Sequence, residues 1–200
     1  MDFRLNEEQE LMRSMFQEFT EGAIKPLAAE LDKEGRFPEE LIPEMGEIGL
    51  FGIPVPEDFG GVGAGFADFI LAVEEISKAC ASTGIIIGAH TSLCAWPILQ
   101  FGSDEQKEAY LPDLASGEKL GAFAMTEPNA GSDAAGMRTF AEDKGDYFLL
   151  NGSKIFITNG EVADTYVVLA STEKGKGNQG ISAFILEKGM EGFTFGSHED

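Results

Sequence analysis

Basic residues are scarce in this 200-residue chain: 14 Lys and Arg stand against 35 Asp and Glu, a formal net charge of -21 at pH 7. So negative a surface repels a phosphate backbone or an anionic bilayer, so neither nucleic acid nor membrane is an expected partner. Net charge does not govern a single pocket, and an anionic cofactor stays compatible where backbone N–H groups and a few local cations receive it. Only two cysteines occur, Cys80 and Cys94, each inside an apolar helical pattern. A disulfide framework is thereby excluded and buried thiols are expected. Met-Asp-Phe-Arg-Leu-Asn lacks the basic and apolar regions of a signal peptide and the Arg/Ser-rich character of a transit peptide, so the expected location is cytoplasmic. No apolar run reaches membrane-spanning length: the longest, residues 85–99, carries His90, Thr91 and Ser92 and predicts a buried helix. Repeats, low-complexity tracts and long like-charge blocks are also missing, while 43% hydrophobic residues suffice for one large core or two small ones.

Helical patterns fill residues 1–117. Asn6 is a good N-cap with Gln9 three residues on, and Leu11, Met12, Met15, Phe16, Phe19 and Ala23 form one stripe predicted to be buried. Phe37-Pro38-Glu39-Glu40 predicts a short helix that Gly46 and Gly49 punctuate. A loop follows, marked by Pro54, Pro56, Gly60, Gly61, Gly63 and Gly65. Phe66, Phe69, Ile70, Val73, Ile76 and Cys80 recur at helical spacing, with Ser82-Thr83-Gly84 expected to end that helix. The next segment is apolar nearly all round, as in the middle of a bundle, and Pro97 is expected to kink or stop it. Ser103 and Gln106 make a capping box for a last helix through Leu114, closed by Gly117.

Beyond Gly117 the pattern changes to short β-rich segments at 120–126, 147–150, 154–158, 166–170 and 181–186, separated by turn residues. Asn151-Gly152 predicts a type I′ hairpin turn, because both residues tolerate positive φ. The expected fold class is α+β, with a helical domain at 1–117 and a β domain at 118–200. Strand-rich sequence still runs at the last residue, so the β domain is expected to be incomplete.

Two stretches carry candidate chemistry. In Phe123-Ala124-Met125-Thr126-Glu127-Pro128-Asn129-Ala130-Gly131-Ser132-Asp133 a strand ends in a loop of small residues, which can present N–H groups and the Ser132 hydroxyl to a phosphate or a flavin edge. A plain structured turn fits those residue types equally well. In Gly152-Ser153-Lys154-Ile155-Phe156-Ile157-Thr158-Asn159-Gly160, Phe156 offers a face for a planar ring and Thr158 a hydrogen bond. Taken singly, this stretch reads more simply as a half-buried Phe and a strand-end Thr.

Together, with the helical segment in front, these two motifs closely resemble the acyl-CoA dehydrogenase family. Supporting similarity runs from Arg4-Leu5-Asn6 through Val73-Glu74-Glu75 and 103–106, so it covers essentially the whole chain. The resemblance implies an all-helical N-terminal domain, a mainly antiparallel, β-barrel-like middle domain that holds FAD, and a C-terminal four-helix domain that lies outside this chain. It implies that Phe123, Ala124, Met125 and Thr126 lie beside the isoalloxazine ring, with Thr126 donating a hydrogen bond to it. Gly131 and Ser132 match the loop that meets the FAD pyrophosphate and the thioester, Ser132 touching one or the other. Phe156, Ile157 and Thr158 match the second flavin-contacting strand, with Phe156 packed on the ring and Thr158 near its reactive nitrogen. Phe at 123 and 156, where many members have Tyr and Trp, points to the short-chain, butyryl-CoA branch.

The implied reaction removes a proton from the α-carbon of an acyl-CoA thioester and a hydride from the β-carbon, with electrons passing to an electron-transfer flavoprotein. The family's base is a glutamate of the C-terminal domain. No residue here is therefore nominated as catalytic, Glu74, Glu75 and Glu127 included, and no metal is expected. Ile85, Ala89 and Leu93, with Ile86, match positions near the acyl tip, where bulky Ile suggests a shallow pocket; they read equally as bundle core. His90 and His198 are not nominated, the first as an interior histidine and the second as an exposed one. A homotetramer is implied for the whole protein. Two alternatives stay open: a flavin oxidase or monooxygenase on the same fold, and a non-catalytic flavin-binding fragment or partner subunit that lacks the base.

Overall fold

A computed structural model describes residues 4–197, which divide into two compact units, 4–119 and 120–197. His198 lies outside the described residues, as do Met1 to Phe3.

The first unit is helical. Its helices are α1 (Glu7–Phe19), α2 (Lys25–Glu34), α3 (Ile42–Glu47), α4 (Phe66–Ala79), α5 (Ala81–Gly88), α6 (Trp96–Phe101) and α7 (Asp104–Ser116). Asn6 caps α1 as expected: its side chain accepts from the Gln9 N–H at 2.8 Å while Gln9 returns a bond to the Asn6 N–H. The stripe on α1 is only partly buried. Phe16 and Phe19 enter the core, whereas Leu11 is 73% exposed and Met15 39%. The helix turns mainly Phe16, Phe19 and Thr20 inward, so helical spacing alone overestimated the width of the buried face.

Two π-helical turns, Thr20–Ile24 and Ala89–Ala95, each stand just before a proline near the start of the next helix, Pro26 and Pro97. The wider turn shifts the hydrogen-bond frame, as when the Trp96 N–H reaches the Thr91 C=O, and so accommodates a residue that cannot donate. Of the two effects expected of Pro97, a kink or a stop, the stop does not occur. The real interruption is at Cys80, whose extended backbone (φ -147°) separates α4 from α5; Ser82, Thr83 and Gly84 lie inside α5. There a Cβ on Gly84 would strike Ser77.

Contrary to the expectation from the apolar run alone, the helix Ala81–Phe101, of 21 residues with a mean hydropathy of 1.3 over its most apolar window, is long and apolar enough to cross a membrane by length and composition, but half of that window is buried within the protein. Two of its polar side chains are buried and bonded inside the protein. His90 donates from Nε2 to the Leu114 C=O at 2.9 Å, and the Thr91 hydroxyl donates to the Phe51 C=O at 3.0 Å. Burial pushes the His90 imidazole down to about 4 against the pull of that carbonyl, so it is neutral at physiological pH. This is a core helix. Glu75, also buried, accepts from Arg13 Nε at 2.6 Å and Lys78 Nζ at 2.8 Å, tying α4 to α1.

The second unit is a mixed sheet of β1 (Gly121–Ala124), β2 (Phe140–Asp143), β3 (Phe148–Asn151), β4 (Thr165–Ser171) and β5 (Ile181–Glu187). β4 is its spine: β5 runs antiparallel along its whole length, β1 pairs with it in parallel, and β2 meets it at the single pair Phe140–Ser171. The longest pairing is antiparallel, but two are parallel. β2 escaped the sequence reading because its four residues include two exposed acids; it forms through its antiparallel pairing with β3. The hairpin turn is at Gly145 (φ 92°), with Lys144 N–H bonded to Tyr147 C=O. Asn151-Gly152 is not a I′ turn: Asn151 ends β3 opposite Phe140, neither residue has positive φ, and a Cβ on Gly152 would run into Thr139. Residues 154–158 form no strand either.

Gly117, at φ 77°, ends α7 in the left-handed conformation, and a Cβ there would collide with the Phe51 ring. Gly117→Ala should destabilise the helical unit by about 1–3 kcal/mol. Urea unfolding followed by fluorescence of Trp96, the single tryptophan, reads this unit directly; an unchanged midpoint would contradict the packing described.

Candidate functional site

The site grows from the exit of β1. Phe123 is half-buried opposite Val167, Ala124 is buried opposite Val168, and Met125 and Thr126 continue past the strand end. The chain then reverses tightly: Glu127 and Ala130 exchange both backbone hydrogen bonds, at 3.0 and 3.1 Å, with Pro128 and Asn129 exposed at the tip. Gly131 and Ser132, which follow that turn, are exposed. Their N–H groups and the Ser132 hydroxyl make no hydrogen bond to the protein among the described residues. Gly131 has no positive φ and nothing stands where its Cβ would be, so internal packing does not require glycine there.

Beneath the turn lies a buried carboxylate. Glu127 accepts from the Arg138 N–H at 2.6 Å, from the Thr139 N–H at 2.9 Å and from Lys154 Nζ at 2.8 Å. Only 5% of its side chain and 10% of that of Lys154 are exposed. Burial pushes this carboxyl up, but the bonds from Lys154, Thr139 and Arg138 outweigh it and hold the group down at about 2. Lys154 also donates to the Met125 C=O at 2.9 Å. The pair therefore binds three segments: the exit of β1, the entry to β2 and the loop after β3. Sequence reading set Glu127 aside as non-catalytic and passed over Lys154. The available signal was that Lys154 is the one basic residue in the two motifs, whose other charges are Glu127 and Asp133.

The loop carrying the second motif is held at both ends. At its start, beside Lys154, the Ile155 N–H bonds to the Thr126 C=O at 2.9 Å. At its far end the buried Asn159 donates from its side-chain amide to the Gly121 C=O at 3.0 Å, with φ 62°. Tyr166 supports the next turn, its hydroxyl proton shared between the Ala163 C=O at 2.6 Å and the Gly160 C=O at 2.9 Å. Between these anchors Phe156 adopts φ 56°, unusual for an aromatic residue, and its side chain is 68% exposed. That conformation is why no strand forms here. Thr126 and Thr158 are half-buried, and their hydroxyls make no hydrogen bond to the protein among the described residues; Ile157 lies half-buried between Phe156 and Thr158. The fold thus brings Met125 and Thr126 to the loop that bears Phe156, Ile157 and Thr158.

Ile85, Ala89 and Leu93 belong to the helical unit. They recur every four residues along α5 and the π turn after it, with Ile85 59% and Leu93 43% exposed and Ala89 buried. Ile86 is buried. Among the described residues, no cluster of His, Cys, Asp and Glu is arranged to hold a metal ion.

The profile of the acyl-CoA dehydrogenase N-terminal domain matches residues 6–118, and that of the acyl-CoA dehydrogenase middle domain matches residues 122–200. The chain belongs to the acyl-CoA dehydrogenase family. It is 54% identical over 199 residues to the short-chain specific acyl-CoA dehydrogenase of Clostridium acetobutylicum, covering 100% of this chain and 52% of that protein. Butyryl-CoA dehydrogenase from Megasphaera elsdenii superposes with a TM-score of 0.96 at 48% identity, over 100% of this chain and 53% of the other. A chain from the structure of the electron transferring flavoprotein of Acidaminococcus fermentans, directed at flavin-based electron bifurcation, gives 0.97 at 54% identity, again over 100% and 53%. The chain spans about half the length of these relatives.

For this member of the acyl-CoA dehydrogenase family, Glu127 predicts an acid-sensitive β unit. A carboxyl held at about 2 when folded, against 4.5 when free, stabilises the fold fully above pH 4.5 and loses that contribution as pH falls toward 2. The amount is on the order of 3 kcal/mol. Urea midpoints at pH 7 and pH 3 should differ by correspondingly more than those of Glu127→Gln; equal pH dependence in both proteins would sink the assignment.

Proposed function

We propose that this chain forms the helical and flavin-facing domains, residues 1–117 and 118–200, of an FAD-dependent dehydrogenase that converts a short-chain acyl-CoA to its trans-2-enoyl-CoA. The observation that carries this reading is the clamped loop: an exposed Phe156 on a left-handed backbone, with two half-buried threonine hydroxyls that have no protein partner among the described residues. A planar, partly polar ring system fits such a donor set. Thr126 and Thr158 would orient it by hydrogen bonds, with Phe156, Phe123 and Met125 excluding water from its face. Gly131 and Ser132 offer exposed N–H groups and a hydroxyl, with no side chain in the way, to an anionic pyrophosphate or thioester ligand.

Bound FAD supplies the acceptor for the hydride from the substrate β-carbon. A carboxylate base from the part of the protein outside this chain takes the α-proton. The contribution of this chain is to bind, orient and shield. Exposed Ile85 and Leu93, with Ala89, would limit acyl length. Reducing equivalents would leave to an electron-transfer flavoprotein, in a cytoplasmic enzyme assembled as a homotetramer.

The full-length protein should show flavin absorption that bleaches when butyryl-CoA is added without oxygen. Persistent bands would refute dehydrogenation of that substrate, and oxygen consumption without an acceptor would favour a flavin oxidase. Thr158→Val and Ser132→Ala should each weaken flavin or acyl-CoA binding by about 1–2 kcal/mol through lost hydrogen bonds. Titration of apoprotein with FAD, and of holoprotein with an acyl-CoA, measures both; unchanged affinities in both variants would argue against these residue roles.

A further inference from the structure

We propose that Lys154 is a positioning residue that sets the spacing between Met125 and Thr126 on one side of the flavin site and Phe156 and Thr158 on the other. The proposal rests on the reading of this site as a flavin site. Residues 154–158 have no strand ladder to fix them, and to the β1 exit they make a single backbone bond, from Ile155 N–H to Thr126 C=O. Asn159 holds the far end of the loop, so at this end one backbone bond by itself would act as a hinge. Lys154 adds the two further contacts that remove the rotation, donating to the Met125 C=O at 2.9 Å and to Glu127 Oε1 at 2.8 Å. Its acceptors are themselves fixed. Met125 follows β1, and the Glu127 carboxylate is held by the N–H groups of Arg138 and Thr139 at the entry to β2.

The choice of an ion pair supports a geometric role. Two charges this deeply buried lose much hydration, and an apolar pair of equal volume often stabilises a fold as well or better. What an apolar pair cannot do is direct several donors at once to a carbonyl and a carboxylate on another segment, here both on the β1 exit. Two residues beyond Lys154 stands Phe156, in a conformation that persists only where the surroundings enforce it.

The test uses full-length protein in apo and FAD-bound forms, with Lys154→Met, Lys154→Arg and the double variant Lys154→Met/Glu127→Gln. The first readout needs no cofactor: hydrogen exchange at the Ile155 amide of the apoprotein. In Lys154→Met it should accelerate by about tenfold or more, as expected for a lost charge-assisted bond, while exchange along β4 and β5 stays unchanged. The second is FAD affinity, which should weaken about as much in Lys154→Met and recover in part in Lys154→Arg. The double variant separates positioning from charge balance. If it stays loose at Ile155 and weak for FAD, positioning holds; if it matches wild type in both, Lys154 only neutralises Glu127 and the proposal fails. Unchanged Ile155 exchange in a folded Lys154→Met also overturns it. Wild-type protein that takes up no flavin would refute the functional reading alone, since the exchange experiment stands without it.

Discussion

A buried carboxylate must be paired, and that requirement organises the β unit. Glu127 sits beneath a two-residue turn with almost no access to water, where an unpaired charge would be too costly to keep. Its three partners come from two other places in the sequence: Lys154, and the backbone N–H groups of the adjacent Arg138 and Thr139. Satisfying it therefore folds those segments together. The sheet alone does not do this, because β2 touches β4 through one residue pair and the loop after β3 joins no ladder.

Strain and exposure at Phe156 follow from that closure. A positive φ in an aromatic residue costs on the order of 1–3 kcal/mol and relaxes unless neighbours prevent it. Here Lys154 and Ile155 hold one side of the residue, and Asn159, bonded to the Gly121 C=O, holds the other. The same anchors leave Thr126 and Thr158 half-buried, their hydroxyls without a hydrogen bond to the protein among the described residues. Rigid backbone under unsatisfied polar groups and an exposed ring is the arrangement that binding a planar cofactor requires, since little ordering remains to be done when it arrives.

The helical unit solves a different problem, that of placing polar residues and prolines in an apolar core. His90 and Thr91 are tolerated because each reaches a carbonyl on another element, Leu114 at the end of α7 and Phe51 in the loop segment. Pro26 and Pro97 are tolerated because a π turn precedes each. Exposed Ile85 and Leu93 lie along the same helix, so the devices that keep it continuous also fix the residues proposed to meet the acyl chain.

Local chemistry was legible in the sequence wherever the controlling interaction spans a few residues. The Asn6–Gln9 and Ser103–Gln106 caps, the Gly117 stop, the change from helical to strand pattern and the two motifs all depend on near neighbours. Errors arose where a distant partner decides. Asn151-Gly152 has ideal hairpin chemistry, yet Thr139 occupies the space beside Gly152 and Gly145 makes the turn. Residues 154–158 alternate like a strand, yet the bonds from Lys154 and Asn159 and the left-handed Phe156 take them out of any ladder. Leu11 and Met15 lie on the apolar stripe of α1, yet packing leaves them exposed. Sequence by itself determined the helical half, its caps and the change to strand near residue 120, because propensity and capping act locally. Only the tertiary structure decided how the two motifs meet, because the burial that makes Glu127 demand Lys154 exists only once the chain has closed around it.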